Sequence, residues 1–379
     1  MTSVFDKKEN CCGCGLCAEI CPKSAIKMEM IDGSYYPVID AEKCIDCGIC
    51  AKNCDFQNGK EEPGDPQCFA ARIKEDAVRL KSSSGGAFTV ISNAILRNGG
   101  VVCGAVYDDD MQVVHKCAIN SFERDKMRGA KYVQSNLNSA FGEMEAALKE
   151  GSNVLFSGTP CQVAAAKKRF AKYAEQLTTV DLICHGVPQV SVWNEYINYL
   201  QNFYGKRIVD YKFRDKSKSW RQYHAVVTFD DGSKASDTPQ IDSYIEIFRY
   251  DLALRASCAK CPYASIHRQG DITIGDFWGI QNHFPEMDDD RGVSALMLNS
   301  EKGKAFAEIL SDEMWLTPCD AQQIAAGQPN MSKPSSPSVK YAAFQKDMAE
   351  MPFSELLKKY TNVGFKRRMI DLAKRIIKR

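Results

Sequence analysis

Nowhere in its 379 residues does this chain run roughly 18 apolar residues together, so a membrane-spanning helix is not expected. The opening residues Met1-Thr2-Ser3-Val4-Phe5-Asp6 contain no basic region followed by an apolar run, so no signal peptide is expected either. The expectation is a soluble or peripheral protein in the cytoplasm. An excess of charge is also missing: 49 Lys and Arg face 48 Asp and Glu, so no global field points to nucleic acid or to an acidic substrate. What the chain has in quantity is cysteine, seventeen residues of it. In a small secreted protein that would mean disulfides, but the arrangement below needs reduced thiolates and an intracellular assembly system.

Residues 11–22 read Cys11-Cys12-Gly13-Cys14-Gly15-Leu16-Cys17-Ala18-Glu19-Ile20-Cys21-Pro22, and residues 44–54 repeat the pattern with Cys44, Cys47, Cys50 and Cys54. Each run brings three thiolates round one face of a cubane and points the fourth at a second cluster. Two runs therefore predict two [4Fe-4S] clusters with crossed ligands. Cys11, Cys14, Cys17 and Cys54 hold one, and Cys44, Cys47, Cys50 and Cys21 hold the other. Cys12 fits neither spacing. A zinc site would use pairs of Cys-x-x-Cys instead of a duplicated four-cysteine run.

A two-cluster unit needs few residues, and 44% hydrophobic content implies further cores. Between the cysteine runs, residues 25–30 and 35–39 read as strands joined by Asp32-Gly33. The polar, Gly- and Pro-containing stretch 57–66 marks a boundary. We divide the chain into a ferredoxin domain at 1–60, a linker at 61–67, a main domain at 68–330, and a loop with a C-terminal helix at 331–379. The fold class is α+β, with a larger mixed α/β flavin-binding domain behind the ferredoxin domain.

In the main domain Lys81-Ser82-Ser83-Ser84-Gly85-Gly86-Ala87 precedes an apolar helix over 90–96. Small residues with free amides before a helix can cradle a flavin or nucleotide phosphate; a plain Ser N-cap with a Gly-rich turn reads the same way. Lys131, beside Gly129 in Arg128-Gly129-Ala130-Lys131-Tyr132-Val133, could face a phosphate or a flavin ring, or be solvated. A strand at 153–156 runs into Ser157-Gly158-Thr159-Pro160-Cys161, and a second strand into Cys184-His185-Gly186. Both cysteines are expected at the carboxyl ends of strands, where open α/β sheets place ligands. Cys258-Ala259-Lys260-Cys261-Pro262 adds a cluster-type loop, so Cys161, Cys184, Cys258 and Cys261 supply four thiolates for a third [4Fe-4S] cluster. The competing reading is two structural cysteines plus a zinc or redox pair. His185 is a candidate proton donor, with a hydrogen-bonded turn histidine as the alternative. Asp276 either orients a ligand or caps a turn. Residues 365–379 carry seven Lys or Arg against one Asp with apolar residues at helical spacing, a basic amphipathic helix that could lie on an anionic membrane, dock a partner or cover the core.

Ser83-Ser84-Gly85-Gly86-Ala87, Gly129-Ala130-Lys131-Tyr132-Val133, Gly158-Thr159-Pro160-Cys161, Cys184, Cys258-x-x-Cys261 and Arg291-Gly292-Val293-Ser294, in that order, resemble the beta subunit family of coenzyme F-420 hydrogenases and dehydrogenases. The resemblance covers about residues 69–300 and implies an FAD-containing iron-sulfur oxidoreductase with three [4Fe-4S] clusters. Its flavin would exchange hydride with a deazaflavin or another organic substrate, and its clusters would carry single electrons. Ser83, Ser84, Gly85, Gly86, Lys131, Tyr132, Ser157, Gly158 and Thr159 are the candidate flavin contacts. Expected partners are ferredoxin or another redox protein and a small-molecule hydride donor or acceptor. The alternative is an electron-transfer subunit of a larger redox complex, without an organic substrate of its own.

Overall fold

The computed structural model describes residues 3–59, 64–137 and 139–364. The basic segment 365–379, and residues 60–63 at the end of the expected ferredoxin domain and the start of the linker, lie outside the described residues.

The N-terminal unit is built on a local repeat. Gly15 and Gly48 occupy the same place in the two cysteine runs, and both adopt left-handed backbone (φ +78° and +69°) as N-caps of one-turn helices, Leu16–Glu19 and Ile49–Lys52. Each glycine lets the chain turn sharply so that the next cysteine faces the preceding ones. Between the runs, strands β1 (Ile26–Ile31) and β2 (Ser34–Ile39) pair antiparallel, Ile31 opposite Ser34, around Asp32-Gly33. Both turn residues have positive φ, as a two-residue hairpin of this twist requires.

The rest of the chain contains eleven more strands among the described residues: β3 (Gln67–Ile73), β4 (Val101–Tyr107), β5 (Val113–Ala118), β6 (Val154–Gly158), β7 (Leu177–Leu182), β8 (Ile208–Asp215), β9 (His224–Phe229), β10 (Lys234–Ser236), β11 (Ile272–Asp276), β12 (Ser294–Leu298) and β13 (Met314–Cys319). Eight form one mixed sheet, in the order β13-β3-β12-β11-β7-β6-β4-β5. Neighbours β11, β7, β6 and β4 run parallel, and the flanking pairs are antiparallel. The central strands are buried on both faces, which is why they read as unbroken apolar runs. Alternate residues go to opposite cores. Leu155 packs with helix Ala87–Arg97, while Val154 and Phe156 pack with helices Ala140–Lys149 and Pro160–Arg169.

Strands β8, β9 and β10 form a second, antiparallel sheet. Its core with helices Val190–Tyr204 and Pro239–Arg249 is aromatic, centred on Trp193, Tyr196, Tyr211, Phe213 and Tyr244. Neither helix is expected from the sequence, nor is any described element after residue 300. The spaced apolar positions Trp193, Ile197 and Leu200 before Gly205 carried the signal for the first.

The ferredoxin unit is seated on the main domain by a buried cation. Arg255, 1% exposed, donates to the carbonyls of Cys11 (2.9 Å) and Tyr35 (2.8 Å) and to Gln134 Oε1 (2.8 Å). Leu16 enters the core of helices Ala140–Lys149 and Pro160–Arg169. A Cβ at Gly13 would stand 2.7 Å from the Tyr35 carbonyl and 2.8 Å from Arg255, so this contact also demands glycine.

Candidate redox centre

Three cysteine-lined cavities and one large one follow each other through the molecule. Cys21, Cys44, Cys47 and Cys50 line the outermost. Cys11, Cys14, Cys17 and Cys54 line the next, joined by Cys12, Cys50 and Cys161. Cys161, Cys184, Cys258 and Cys261 line the third, again with Cys12. Among the described residues no three metal-ligating side chains converge on the site of a single ion. Burial pushes the thiols of Cys11 and Cys258 up, to about 11 and about 12. Iron binding there would expel protons that the protein otherwise retains.

The third cavity is assembled by long-range contacts. Cys184 lies two residues beyond β7, but Cys161 sits in the first turn of helix Pro160–Arg169, not at the strand end expected for it. A reciprocal cap between Thr159 and Gln162 starts that helix, and Thr159 Oγ1 lies 3.2 Å from Cys161 Sγ. The Cys184 loop lies against the Cys258 loop through the Pro188–Leu254 bridge and the Arg255 N–H donating to the Val187 carbonyl at 2.9 Å. Arg268, 2% exposed, donates to Leu182 O (2.6 Å) at the end of β7 and to Tyr263 O (3.2 Å), fixing the chain beyond Cys261. Five cysteines stand outside the twelve: Cys12, Cys68, Cys103, Cys117 and Cys319. Cys68 and Cys103 are buried in the large sheet, with Cys319 and Cys117 as their cross-strand partners.

The fourth cavity, about 670 Å³, opens at the carboxyl ends of the parallel strands and is lined by Gly104, Ser157, Leu182 and Gly275, among others. Its volume is that of a site for a small molecule or cofactor. Ser83, Ser84, Gly86, Lys131, Tyr132, Ser157, Gly158 and Thr159 all line it, as does His185. Gly85 does not: a Cβ there would meet the Ala71 carbonyl at 2.2 Å and the Ser294 amide at 2.6 Å. That glycine lets the loop press on the sheet. The Ser83 and Ser84 hydroxyls are already engaged, the first accepting from the Ala130 N–H (2.7 Å), the second donating to Val293 O (2.8 Å). Lys216 draws the carbonyls of Arg79, Ser84 and Arg291 together. The Ser-Gly and Arg-Gly-Val-Ser motifs are therefore one packed structure, and anion donors there would come from the backbone at the start of helix Ala87–Arg97.

Lys131 Nζ donates to the Lys126 carbonyl at 3.1 Å and lies 5.4 Å from the Tyr107 ring centre. Burial lowers its pKa to about 8, with Asp210 opposing. His185 Nε2 lies 2.8 Å from Asp251 Oδ1, and Nδ1 lies 3.3 Å from Asn330 Oδ1. The bond to Asp251 raises its pKa against the effect of burial. His115, stacked on Phe156, is held neutral by burial, which lowers its pKa to about 4.

A cation not singled out from the sequence closes the aromatic end of this cavity. Arg214 of β8 pairs with Asp276 of β11, and its guanidinium lies 4.5 Å from the Tyr223 ring and 5.2 Å from the Trp278 ring. Among the described residues its Nε and Nη2 are buried without a hydrogen-bond partner. Burial opposes its charge, but Asp276 outweighs that and holds the proton on. Asp276 also accepts from Trp220 Nε1 at 2.9 Å, so it orients side chains at the site and does not merely cap a turn.

These features define an iron-sulfur protein with a ferredoxin unit fixed to a mixed α/β domain. Residues 10–58 match the 4Fe-4S dicluster domain, and residues 151–326 match the C terminus of the coenzyme F420 hydrogenase/dehydrogenase beta subunit. The chain thus carries an N-terminal 4Fe-4S dicluster domain and, behind it, a domain like the C terminus of the coenzyme F420 hydrogenase/dehydrogenase beta subunit. No curated protein matches it. A solved structure, the xenon-derivatised F420-reducing [NiFe] hydrogenase complex from Methanosarcina barkeri, is similar at 16% identity with a TM-score of 0.46, covering 72% of this chain and 97% of that one. No helix among the described residues is long and apolar enough to cross a membrane.

Proposed function

We propose that the chain is an iron-sulfur flavoprotein oxidoreductase. Three [4Fe-4S] clusters would be held by Cys21/Cys44/Cys47/Cys50, by Cys11/Cys14/Cys17/Cys54 and by Cys161/Cys184/Cys258/Cys261. FAD would occupy the large cavity, and a ferredoxin or another redox protein would exchange electrons at the N-terminal end. The observation that carries this reading is continuity. Cys50 is common to the first two cavities, Cys12 and Cys161 to the second and third, and Cys184 and His185 to the third and the large one.

A bound flavin supplies conversion between hydride transfer, here with a deazaflavin or another organic substrate, and single-electron transfer. The chain's own residues bind, orient and protonate. The amides opening helix Ala87–Arg97 and the Lys131 ammonium bind the anionic part of the cofactor. Tyr132, stacked 4.4 Å from Phe248, and Trp278, stacked 4.7 Å from Trp220, give flat apolar walls for a ring system. The unpartnered N–H groups of Arg214 are available to a ring carbonyl or carboxylate. His185 holds a proton on the wall shared with the cysteine cavity, where Asp251 orients the ring.

A second reading, an electron-transfer subunit without its own organic substrate, is favoured by the exposed Ile45 (58%) and Ile49 (38%) flanking the exposed Cys47. That apolar patch beside the outermost cysteines suits a docked partner. Reconstitution of the chain with iron, sulfide and FAD separates the two. The first expects about twelve irons per chain and bleaching of the flavin by reduced ferredoxin, NAD(P)H or reduced deazaflavin. Cys258→Ser should then leave about eight. Twelve irons in that variant would refute the third ligand set, and reduction only within a partner complex would favour the second reading.

A further inference from the structure

We propose that Cys12 is a hydrogen-bond donor shared between two ligand sets, coupling the potentials of the Cys11/Cys14/Cys17/Cys54 cluster and the main-domain cluster where the two domains meet. The inference rests on the three-cluster reading above. Cys12 belongs to neither ligand set, yet it is buried and lines both cavities. In the first of these cavities its neighbours in the lining include Cys14 and Cys161, and in the second Cys161 again.

The main chain on both sides of this thiol is anchored. Gln134 Nε2 donates to the carbonyls of Cys12 (3.2 Å) and Gly13 (3.4 Å), and Arg255 donates to the Cys11 carbonyl (2.9 Å). Gly13 is in the left-handed region at φ +68° with no room for a side chain. The backbone is therefore held, and rotation of the thiol is the freedom that remains.

A thiol carries one hydrogen and can give it to one ligand sulfur at a time. Hydrogen bonds to ligand sulfurs are among the determinants of a cluster's potential, because they favour the more negative, reduced state. The Cys12 S–H thus turns toward whichever ligand set carries the extra electron and leaves the other without its donor. Passage of one electron oxidises one cluster and reduces the other by one electron each. The hydrogen stays on Cys12, so no proton is gained or lost. The consequence is that simultaneous reduction of both clusters is disfavoured, and electrons cross the domain boundary singly.

The test uses the full-length reconstituted chain, with iron counting and redox titration followed by electron paramagnetic resonance. Cys12→Ala should keep the wild-type iron content and shift both clusters to more negative potential, by about tenfold in the reduction equilibrium, or about 59 mV for one electron. Cys12→Ser, which restores a donor without leaving a void, should bring both potentials back toward or above wild type. Unchanged potentials in Cys12→Ala, a shift of one cluster alone, or loss of iron in both variants would each overturn the proposal. A wild-type protein holding only about eight irons would overturn the underlying three-cluster reading instead, before any variant is compared.

Discussion

The N-terminal unit and the main domain collect cysteines by opposite means. In the first, six of eight proposed ligands stand three positions from another within one run, and each short helix is started by a left-handed glycine. In the second, Cys161, Cys184 and the Cys258/Cys261 loop come from three separate segments. They meet because β6, β7 and β11 are neighbours in one sheet and because Arg255 and Arg268 tie the loops at its edge. A local site tolerates damage to the sheet; an assembled site does not.

The sharpest way to break that contrast is to disturb the sheet without touching a cysteine. A Cβ at Gly270, just before β11, would stand 2.7 Å from the Asp181 amide of β7 and from the Ile272 carbonyl. Gly270→Val is expected to lose about four irons, those of the main domain, and to keep the N-terminal eight. Loss of all the iron, or of none, in a folded variant would erase the distinction.

Next in size is the ion pair at the aromatic end of the large cavity. Asp276→Ala strands the Arg214 charge, whose side chain is 3% exposed, and should cost about 3–5 kcal/mol in urea unfolding. Replacing both, Arg214→Met with Asp276→Leu, should recover most of that stability while still weakening FAD binding. Full recovery of both properties would remove Arg214 from the site.

His185→Gln should slow hydride exchange by about 100-fold, the lower range for a positioned acid, with iron and flavin content unchanged. A rate within about twofold of wild type would reduce His185 to a turn residue.

The smallest effect concerns pH. In the empty protein Lys131 loses its proton near pH 8 because burial disfavours the charge. Binding an anion requires the charged form, so above that pH binding takes up a proton and FAD affinity falls, by at most about tenfold per pH unit. Below it the affinity is flat with respect to this group. Lys131→Met should bind more weakly at pH 7 and show no such decline; an unchanged slope in titration calorimetry would exclude Lys131.

The same contrast explains how much of the molecule could be read in advance. The two cysteine runs of Cys11 to Cys54 are legible from spacing, since adjacent turns of chain bring most of those thiols together whatever surrounds them. The hairpin at Asp32-Gly33, the central strands and the helix after Gly86 also announced themselves through periodicity and turn chemistry. Helix Pro239–Arg249, with its Thr238 cap and Pro at the first position, had a start signal that was passed over. Arg214, Asp251 and Asn330 had none, because a polar residue beside a loop or at a strand end has the same local pattern whether it faces water or a cavity. Gly85 went the other way: its motif pointed at a ligand, while its missing side chain serves the contact with Ala71 and Ser294.

Sequence alone determined the two four-cysteine runs, the alternation of strands and helices, and the four later cysteines proposed to act together. Tertiary structure decided that those four face one cavity, that this cavity adjoins both the N-terminal cysteines and a 670 Å³ chamber, and that Cys12 lines both cysteine cavities. The physical reason is range. Spacing along a chain specifies contacts within a few turns, whereas the docking of Arg255 against Cys11 and Tyr35, more than two hundred residues away, depends on packing between distant segments.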